Sequence, residues 1–217
     1  MDLTKYGHSC VRIADGDRQL AIDPGTFSEV STAVADLDAV LITHEHPDHL
    51  DVGELAAAAA ANPALRVWAP QSVADQLAGN EVLSERVTAV GPGQSFIAGG
   101  LQVRTFGGQH ALIHSSIPVI ANVGYLIGDA IYHPGDSYVV PNAVVEALLV
   151  PINAPWAKVS ETIDFTVSVR APRAFQIHDG LLNDTGRGGY ENQMKRVEQL
   201  YGVTSFQHLD SGDSVHL

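Results

Sequence analysis

The sequence predicts a layered α/β fold in which sheets are covered by helices on their outer faces. Three observations predict it. Short β-prone runs alternate with helical segments along all 217 residues. Hairpin turns are more frequent than a doubly wound parallel sheet would show. No linker, repeat or composition break divides the chain, so one domain spanning residues 1–217 is expected, long enough to bury a substantial core.

The elements follow in order. Leu3–Tyr6, Cys10–Ala14 and Gln19–Ile22 read as a small antiparallel meander, with Asp15-Gly16-Asp17 as a hairpin turn and Asp23-Pro24-Gly25 closing the third run. The apolar run Ala39–Ile42 reads as a buried strand. Asp51, with Glu54 three residues on, resembles a capping box before the alanine-rich Leu55–Ala61, and Asn62-Pro63 ends that helix. Leu65–Ala69 is a strand and Ser72–Ala78 a short helix. Val87–Val90, Ser95–Ala98 and Leu101–Phe106 are strands set apart by Gly-Pro-Gly and Gly-Gly turns. Val123–Ile127 and Ala130–Tyr132 pair across Gly128-Asp129. Val144–Ile152 is a buried strand, Glu161–Val169 a helix and Ala174–Ile177 a strand. Gly189–Tyr201 is an amphipathic helix, preceded by a glycine-rich loop at Thr185–Gly189. Val203–Phe206 and Ser214–Leu217 are expected to form a final strand pair.

Composition narrows the function classes. The chain is 45% apolar and 17% charged, as in an ordinary globular protein, and no apolar run approaches a membrane span. The first residues lack a basic region followed by an apolar stretch, so no signal peptide is expected. The lone Cys10 has no partner for an internal disulfide and reads as a small core residue. Cytoplasmic residence is the expectation. A formal charge of −13, from 12 basic and 25 acidic residues, argues against nucleic acid as a partner. Tracking a phosphate backbone needs clustered Lys and Arg.

The chemistry concentrates in Thr43-His44-Glu45-His46-Pro47-Asp48-His49, directly after the Ala39–Ile42 strand. Imidazole and carboxylate are the ligand types of zinc hydrolases and some iron enzymes. In an extended segment His44 and His46 leave the same face and can share one metal. Pro47 interrupts that segment, so Asp48 and His49 project from a turn and can reach a second metal. A helical His-Glu-x-x-His site is excluded, because Asp48 stands four after His44 and Pro47 would fall inside the helical turn. The alternative is a solvated loop of surface histidines, against which four potential ligands in six positions weigh. Further candidates each follow a predicted strand: His110 after Gly107-Gly108, Asp136 in His133-Pro134-Gly135-Asp136-Ser137, and His178 after Ile177.

Taken in order, Asp23-Pro24-Gly25, Thr43-His44-x-His46-x-Asp48-His49, His110, Gly135-Asp136-Ser137 and His178 resemble the metallo-β-lactamase-fold hydrolases over essentially the full chain. The resemblance implies a four-layered αβ/βα sandwich. It implies one metal on His44, His46 and His110, a second on Asp48, His49 and His178, and Asp136 bridging the two. Asp23 would support the site through hydrogen bonds without binding metal. Tyr6–Ile13 and Asp48-His49-Leu50-Asp51 look most like the small bacterial branch that includes ascorbate-6-phosphate lactonase-like proteins. No cysteine occupies a metal position, unlike the β-lactamases that use a thiolate. His46 stands where flavodiiron proteins carry a carboxylate. The chain also leaves little room for the inserted domain usual in the superfamily's nucleases.

The resemblance thus implies a hydrolase using two Zn²⁺, with Mn²⁺ or Fe as alternatives, about 3.5–4 Å apart and sharing a hydroxide. That hydroxide would cleave a small-molecule ester, lactone, thioester or phosphoester, with Asp48 and Asp136 as candidate proton acceptors. A phosphodiesterase or nuclease, and a metal-binding protein without turnover, are the alternatives. Candidate substrate residues are His8, Trp156 and Arg187. His8 could equally be a packed histidine, Trp156 a buried structural tryptophan near Asn153 and Lys158, and Arg187 (with Tyr190) part of a solvated loop. His114 and His133 are expected to serve the surface or packing, and His208 and His216 to lie exposed.

Overall fold

The computed structural model describes residues 1–217 as fourteen strands and five helices. The first half runs β1 (Asp2–Lys5), β2 (Val11–Asp15), β3 (Arg18–Ile22), α1 (Val30–Ala33), β4 (Ala39–Leu41), α2 (Val52–Ala61), β5 (Arg66–Ala69), α3 (Gln71–Leu77) and β6 (Val87–Ala89). The second half runs β7 (Ser95–Ala98), β8 (Leu101–Gly107), β9 (Val123–Ile127), β10 (Ile131–His133), β11 (Ala147–Pro151), α4 (Val159–Val169), β12 (Arg173–Ile177), α5 (Asp184–Tyr201), β13 (Ser205–Gln207) and β14 (Ser214–His216).

These strands form two seven-stranded mixed sheets, β14-β1-β2-β3-β4-β5-β6 and β13-β12-β11-β10-β9-β8-β7. In each, an antiparallel meander leads into a parallel stretch: β3 to β6 in the first sheet and β10 to β13 in the second. The period-two pattern of the strands sorts side chains into layers. Ala39 and Leu41 of β4 point into the core between the sheets, with Leu3, Ile13, Ile22, Tyr125, Leu149 and Phe175. Val40, between them, points outward into a second core, where it packs with Leu55 of α2 and Val73 of α3. On the far side Leu148 and Val150 of β11 meet Phe165 of α4 and Met194 and Val197 of α5 in a third core. Three apolar layers separate helix, sheet, sheet and helix, which is the αβ/βα sandwich.

Three expectations are corrected. The final strand pair does not exist as a pair: β13 extends the second sheet beside β12, whereas β14 crosses over to pair with β1 in the first. The segment Thr185–Gly189 is not a loop but the first turns of α5, started by Asn183, whose side chain accepts the Gly186 N–H. The Val144–Ile152 strand shortens to Ala147–Pro151, with Val144 exposed. The Asp51 cap forms, its Oδ1 accepting the Glu54 N–H at 3.0 Å, but the box stays open because the Asp51 N–H donates to the Pro24 carbonyl at 3.0 Å. No helix is long and apolar enough to cross a membrane.

Candidate metal centre

The sandwich brings one end of both sheets together, and the loops leaving β3, β4, β8, β10 and β12 converge there. Two hydrogen bonds tie the sheets at this edge: the Tyr125 hydroxyl donates to the Ile42 carbonyl at 2.8 Å, and Val123 N–H to the Thr43 carbonyl at 2.9 Å. Close backbone approach makes two glycines necessary. A Cβ on Gly25 would lie 1.9 Å from the Asp48 carbonyl oxygen, and one on Gly135 (φ +62°) would lie 2.3 Å from Asn122 Oδ1. Asn122 in turn clamps the Pro-Gly-Asp turn, accepting the Asp136 N–H at 2.9 Å and donating to the Pro134 carbonyl at 2.9 Å. Three non-glycine residues at positive φ, His8, Asp23 and His178, also belong to this edge. That clustering of backbone strain is typical of working sites.

His44, His46, His110 and Asp136 form one group whose potential ligand atoms lie within 4.8 Å of one another. Asp48, His49 and His178, with His8, form a second. Asp136 touches both: its Oδ1 is 3.1 Å from His49 Nε2, and its Oδ2 is 3.1 Å from His178 Nε2 and 3.3 Å from His110 Nε2. All seven ligands inferred from the resemblance therefore meet at one place.

Hydrogen bonds at the far side of each ring set the tautomers. His49 Nδ1–H donates to Asp23 Oδ2 at 2.7 Å, His110 Nδ1–H to the Ala111 carbonyl at 2.6 Å, and His178 Nδ1–H to the Asn153 carbonyl at 2.6 Å. Asp23 also accepts the Thr43 backbone N–H and hydroxyl, and that hydroxyl oxygen accepts His44 Nδ1–H at 3.0 Å. In its neutral form each of these four rings has an Nε2 lone pair facing the cluster. His44 Nε2 and His46 Nδ1 approach within 3.0 Å. Nε2 of His49, His110 and His178 and Oδ1 of Asp136 are buried without a hydrogen-bond partner. Lone pairs converging on carboxylate oxygens repel unless positive charge lies between them. Five imidazole nitrogens and two carboxylates thus fit divalent cations.

The electrostatics have the same sign. Burial resists a charge on His49, but Asp136 and Asp23 outweigh it and hold its pKa well above the usual imidazole value. Burial and the neighbouring His49 push His44 well below. Burial opposes ionisation of both carboxylates, yet His49 and His178 hold Asp136 well below the usual range. His8 and His49 bring Asp48 to about 2. Both acids are therefore charged in the folded protein at neutral pH.

His8 lies within the second group but is engaged on both nitrogens. Its Nδ1 accepts the Gly180 N–H at 3.0 Å, so its Nε2 carries the proton and donates to Asp48 Oδ2 at 3.1 Å. Burial pushes its pKa down, consistent with that neutral form. Its ring is sealed from solvent and orients a carboxylate. Trp156 is likewise buried, and its Nε1–H donates to Asp136 Oδ2 at 3.0 Å. Its ring meets Tyr138 edge-on at 5.0 Å between centroids and lies 6.0 Å from His110 and 6.3 Å from His178. Arg187 stays outside the cluster on α5, donating to Asp184 at 2.9 Å and lying 3.9 Å from Glu191.

His133 ties loops together, its Nε2–H donating to the Ser9 carbonyl and its Nδ1 accepting the Gly135 N–H. His114 is exposed against Ser116, and His216 is exposed against Asp2. His208 is not simply exposed: it is part-buried between Glu191 and Asp210. Sequence reasoning missed Asn122 and the Asn153 carbonyl, whose partners lie 12 or more residues away with no local signature.

Comparison with known proteins gives a consistent result. A family model described as beta-lactamase superfamily domain matches residues 2–178. Protein Rv0786c of Mycobacterium tuberculosis is 39% identical over 220 residues, covering 99% of this chain and 99% of its own. A UPF0173 metal-dependent hydrolase of Aeropyrum pernix is 33% identical over 153 residues, 62% of this chain and 61% of that protein. Among solved structures, the metallo hydrolase Igni18 of Ignicoccus hospitalis superposes with a TM-score of 0.74 at 17% identity, covering 99% of this chain and 97% of that one. At that identity the likeness speaks for the fold alone.

Proposed function

We propose that this metal-dependent hydrolase of the beta-lactamase superfamily holds two cations and cleaves a small-molecule ester, lactone, thioester or phosphoester. The observation that carries this reading is the set of orphaned lone pairs: three buried imidazole nitrogens and a carboxylate oxygen without partners, divided between two groups that Asp136 joins. His44, His46 and His110 would hold one cation, Asp48, His49 and His178 the other, and Asp136 both. Zinc suits the histidine-rich set, with manganese or iron next. Cations held there would lower the pKa of water from about 15.7 to about 7 and would polarise the substrate's electrophilic oxygen.

The remaining roles fall to the chain's own groups. Asp23, Thr43 and the Ala111 and Asn153 carbonyls hold the histidine rings in the ligating tautomer. Asp48, with one fifth of its side chain exposed, is the carboxylate that incoming water can reach and the better candidate to take its proton. Asp136 is sealed. In the net reaction water's oxygen joins the acyl or phosphoryl centre, the bond to the leaving atom breaks, and water's proton ends on that atom. The lone unpaired Cys10 agrees with a cytoplasmic setting. A nuclease reading is disfavoured by the net charge of −13.

The test is a panel of p-nitrophenyl acetate, γ-butyrolactone, an acylthioester and bis-p-nitrophenyl phosphate, assayed with and without a chelator. Chelator-sensitive turnover restored by zinc or manganese is expected. No turnover of any substrate under any metal would remove the proposal.

A further inference from the structure

We infer that the substrate is neutral and carries a hydrocarbon arm, so that the centre acts on an acyl ester, thioester or lactone rather than on a phosphorylated or carboxylated metabolite. This rests on the hydrolase reading above and adds a charge and a shape to it.

Charge is the first observation. Every ionic neighbour of Asp48 and Asp136 within 4.0 Å is a histidine; no lysine or arginine reaches either carboxylate. The cations whose chain positions adjoin the ligand loops are spent elsewhere. Lys5 is buried and donates to Asp179 at 2.6 Å. Arg12 turns back to Gln19 and the Ala35 carbonyl. Arg187 bonds Asp184, and Lys158 pairs with Glu161 at the surface. A phosphate or carboxylate remote from the reacting bond would find no fixed cation to receive it, and the overall charge of −13 would oppose its approach. A sugar-phosphate lactone, the substrate type suggested by the finer sequence likeness, fits such an entrance poorly.

Apolar exposure is the second. Eleven large apolar side chains are exposed in the whole chain, and five of them, Phe27, Leu112, Ile117, Val119 and Leu181, lie on three loops that build the centre. Phe27 follows the Asp23-Pro24-Gly25 turn, and its ring meets His8 edge-on at 5.3 Å. Leu112, Ile117 and Val119 occupy the loop whose base is closed at His110 by a hydrogen bond from its N–H to the Ile120 carbonyl, and by Ala111 N–H on the Asp136 carbonyl. Leu181 stands three residues after His178, in the segment held by the Gly180–His8 bond. Exposed apolar side chains concentrated on loops that carry or brace the candidate ligands mark a binding surface. Apolar side chains carried by these loops, with no cation held among them, suit an alkyl or aryl group attached to the bond being cut.

The test uses metal-loaded, full-length protein and p-nitrophenyl esters from acetate through octanoate, with p-nitrophenyl hemisuccinate and bis-p-nitrophenyl phosphate as anionic comparators. kcat/KM is expected to rise with acyl length by about two- to fourfold per methylene, fourfold being the value for complete burial at about 0.8 kcal/mol. Leu112→Ser and Leu181→Ser should flatten that rise. Chelator-sensitive turnover with a flat or falling series, or with preference for an anionic substrate, overturns this inference and leaves the hydrolase standing. Absence of all metal-dependent turnover removes both. Sedimentation showing a dimer that Leu112→Asp dissociates, with the chain-length series unchanged, would assign these side chains to a second copy and also overturn it.

Discussion

Trp156→Phe isolates one hydrogen bond in the centre. The indole Nε1–H donates to Asp136 Oδ2 at 3.0 Å, and Asp136 contacts candidate ligand nitrogens of both groups. Phenylalanine keeps an aromatic ring beside Tyr138 but removes the donor. A hydrogen bond to a charged acceptor contributes about 1.5–3 kcal/mol, and loss of an outer-sphere partner typically costs about 10–100-fold in metal affinity. The variant should therefore bind zinc about 10–100-fold more weakly in competition with a chromophoric chelator. The metal-free forms should melt within a few degrees of each other. Fluorescence supplies a second readout. The chain has two tryptophans, and the other, Trp68, stacks on Phe96 at 5.9 Å, outside the ligand groups. Emission of the parent protein should change on metal loading, and that of the variant should not. An affinity within twofold of the parent, together with a retained fluorescence response, would refute the role given to Trp156.

Other perturbations follow from the same geometry. Gly25→Ala places a Cβ against the Asp48 carbonyl, and the resulting backbone shift should weaken metal binding and lower Tm in thermal melts; an unchanged Tm would show the turn to be compliant. Lys5→Met leaves Asp179 buried without its ion partner and should cost about 3–5 kcal/mol in urea unfolding, while a loss below about 1 kcal/mol would contradict that coupling. Cys10 is fully buried, and burial together with Asp23 pushes its thiol pKa up. It should resist a thiol reagent such as DTNB in native protein and react once unfolded, whereas rapid native labelling would contradict the packing.

How much of this was legible in sequence depends on the range of the information. His44, His46, Asp48 and His49 are neighbours, so their convergence follows from a strand ending and Pro47 turning the chain. The layers were readable because alternation within strands and helical spacing are local patterns. Pairing partners are less local. Consecutive strands usually pair, but β13 is drawn to β12 at the edge of one sheet while β14 closes the edge of the other beside β1. The glycines at 186, 188 and 189 suggest a loop by propensity. Asn183 capping and burial of Met194 and Val197 on the inner face of α5 offset that cost. Trp156 and Asn122 reach Asp136 only through the full topology, and their roles could not be read from adjacent residues. His8 illustrates the same limit. The family resemblance made it a candidate for the substrate, but a single N–H from Gly180, 172 residues away, fixes its tautomer and turns its proton toward Asp48.

Metal content of the natively purified chain tests the central claim most directly. Elemental analysis should find about two equivalents of zinc, manganese or iron per chain. His110→Ala should carry less metal and lose turnover while keeping the parent's far-UV circular dichroism. Protein that is metal-free as isolated, and that takes up neither zinc nor manganese when they are supplied, would contradict the account.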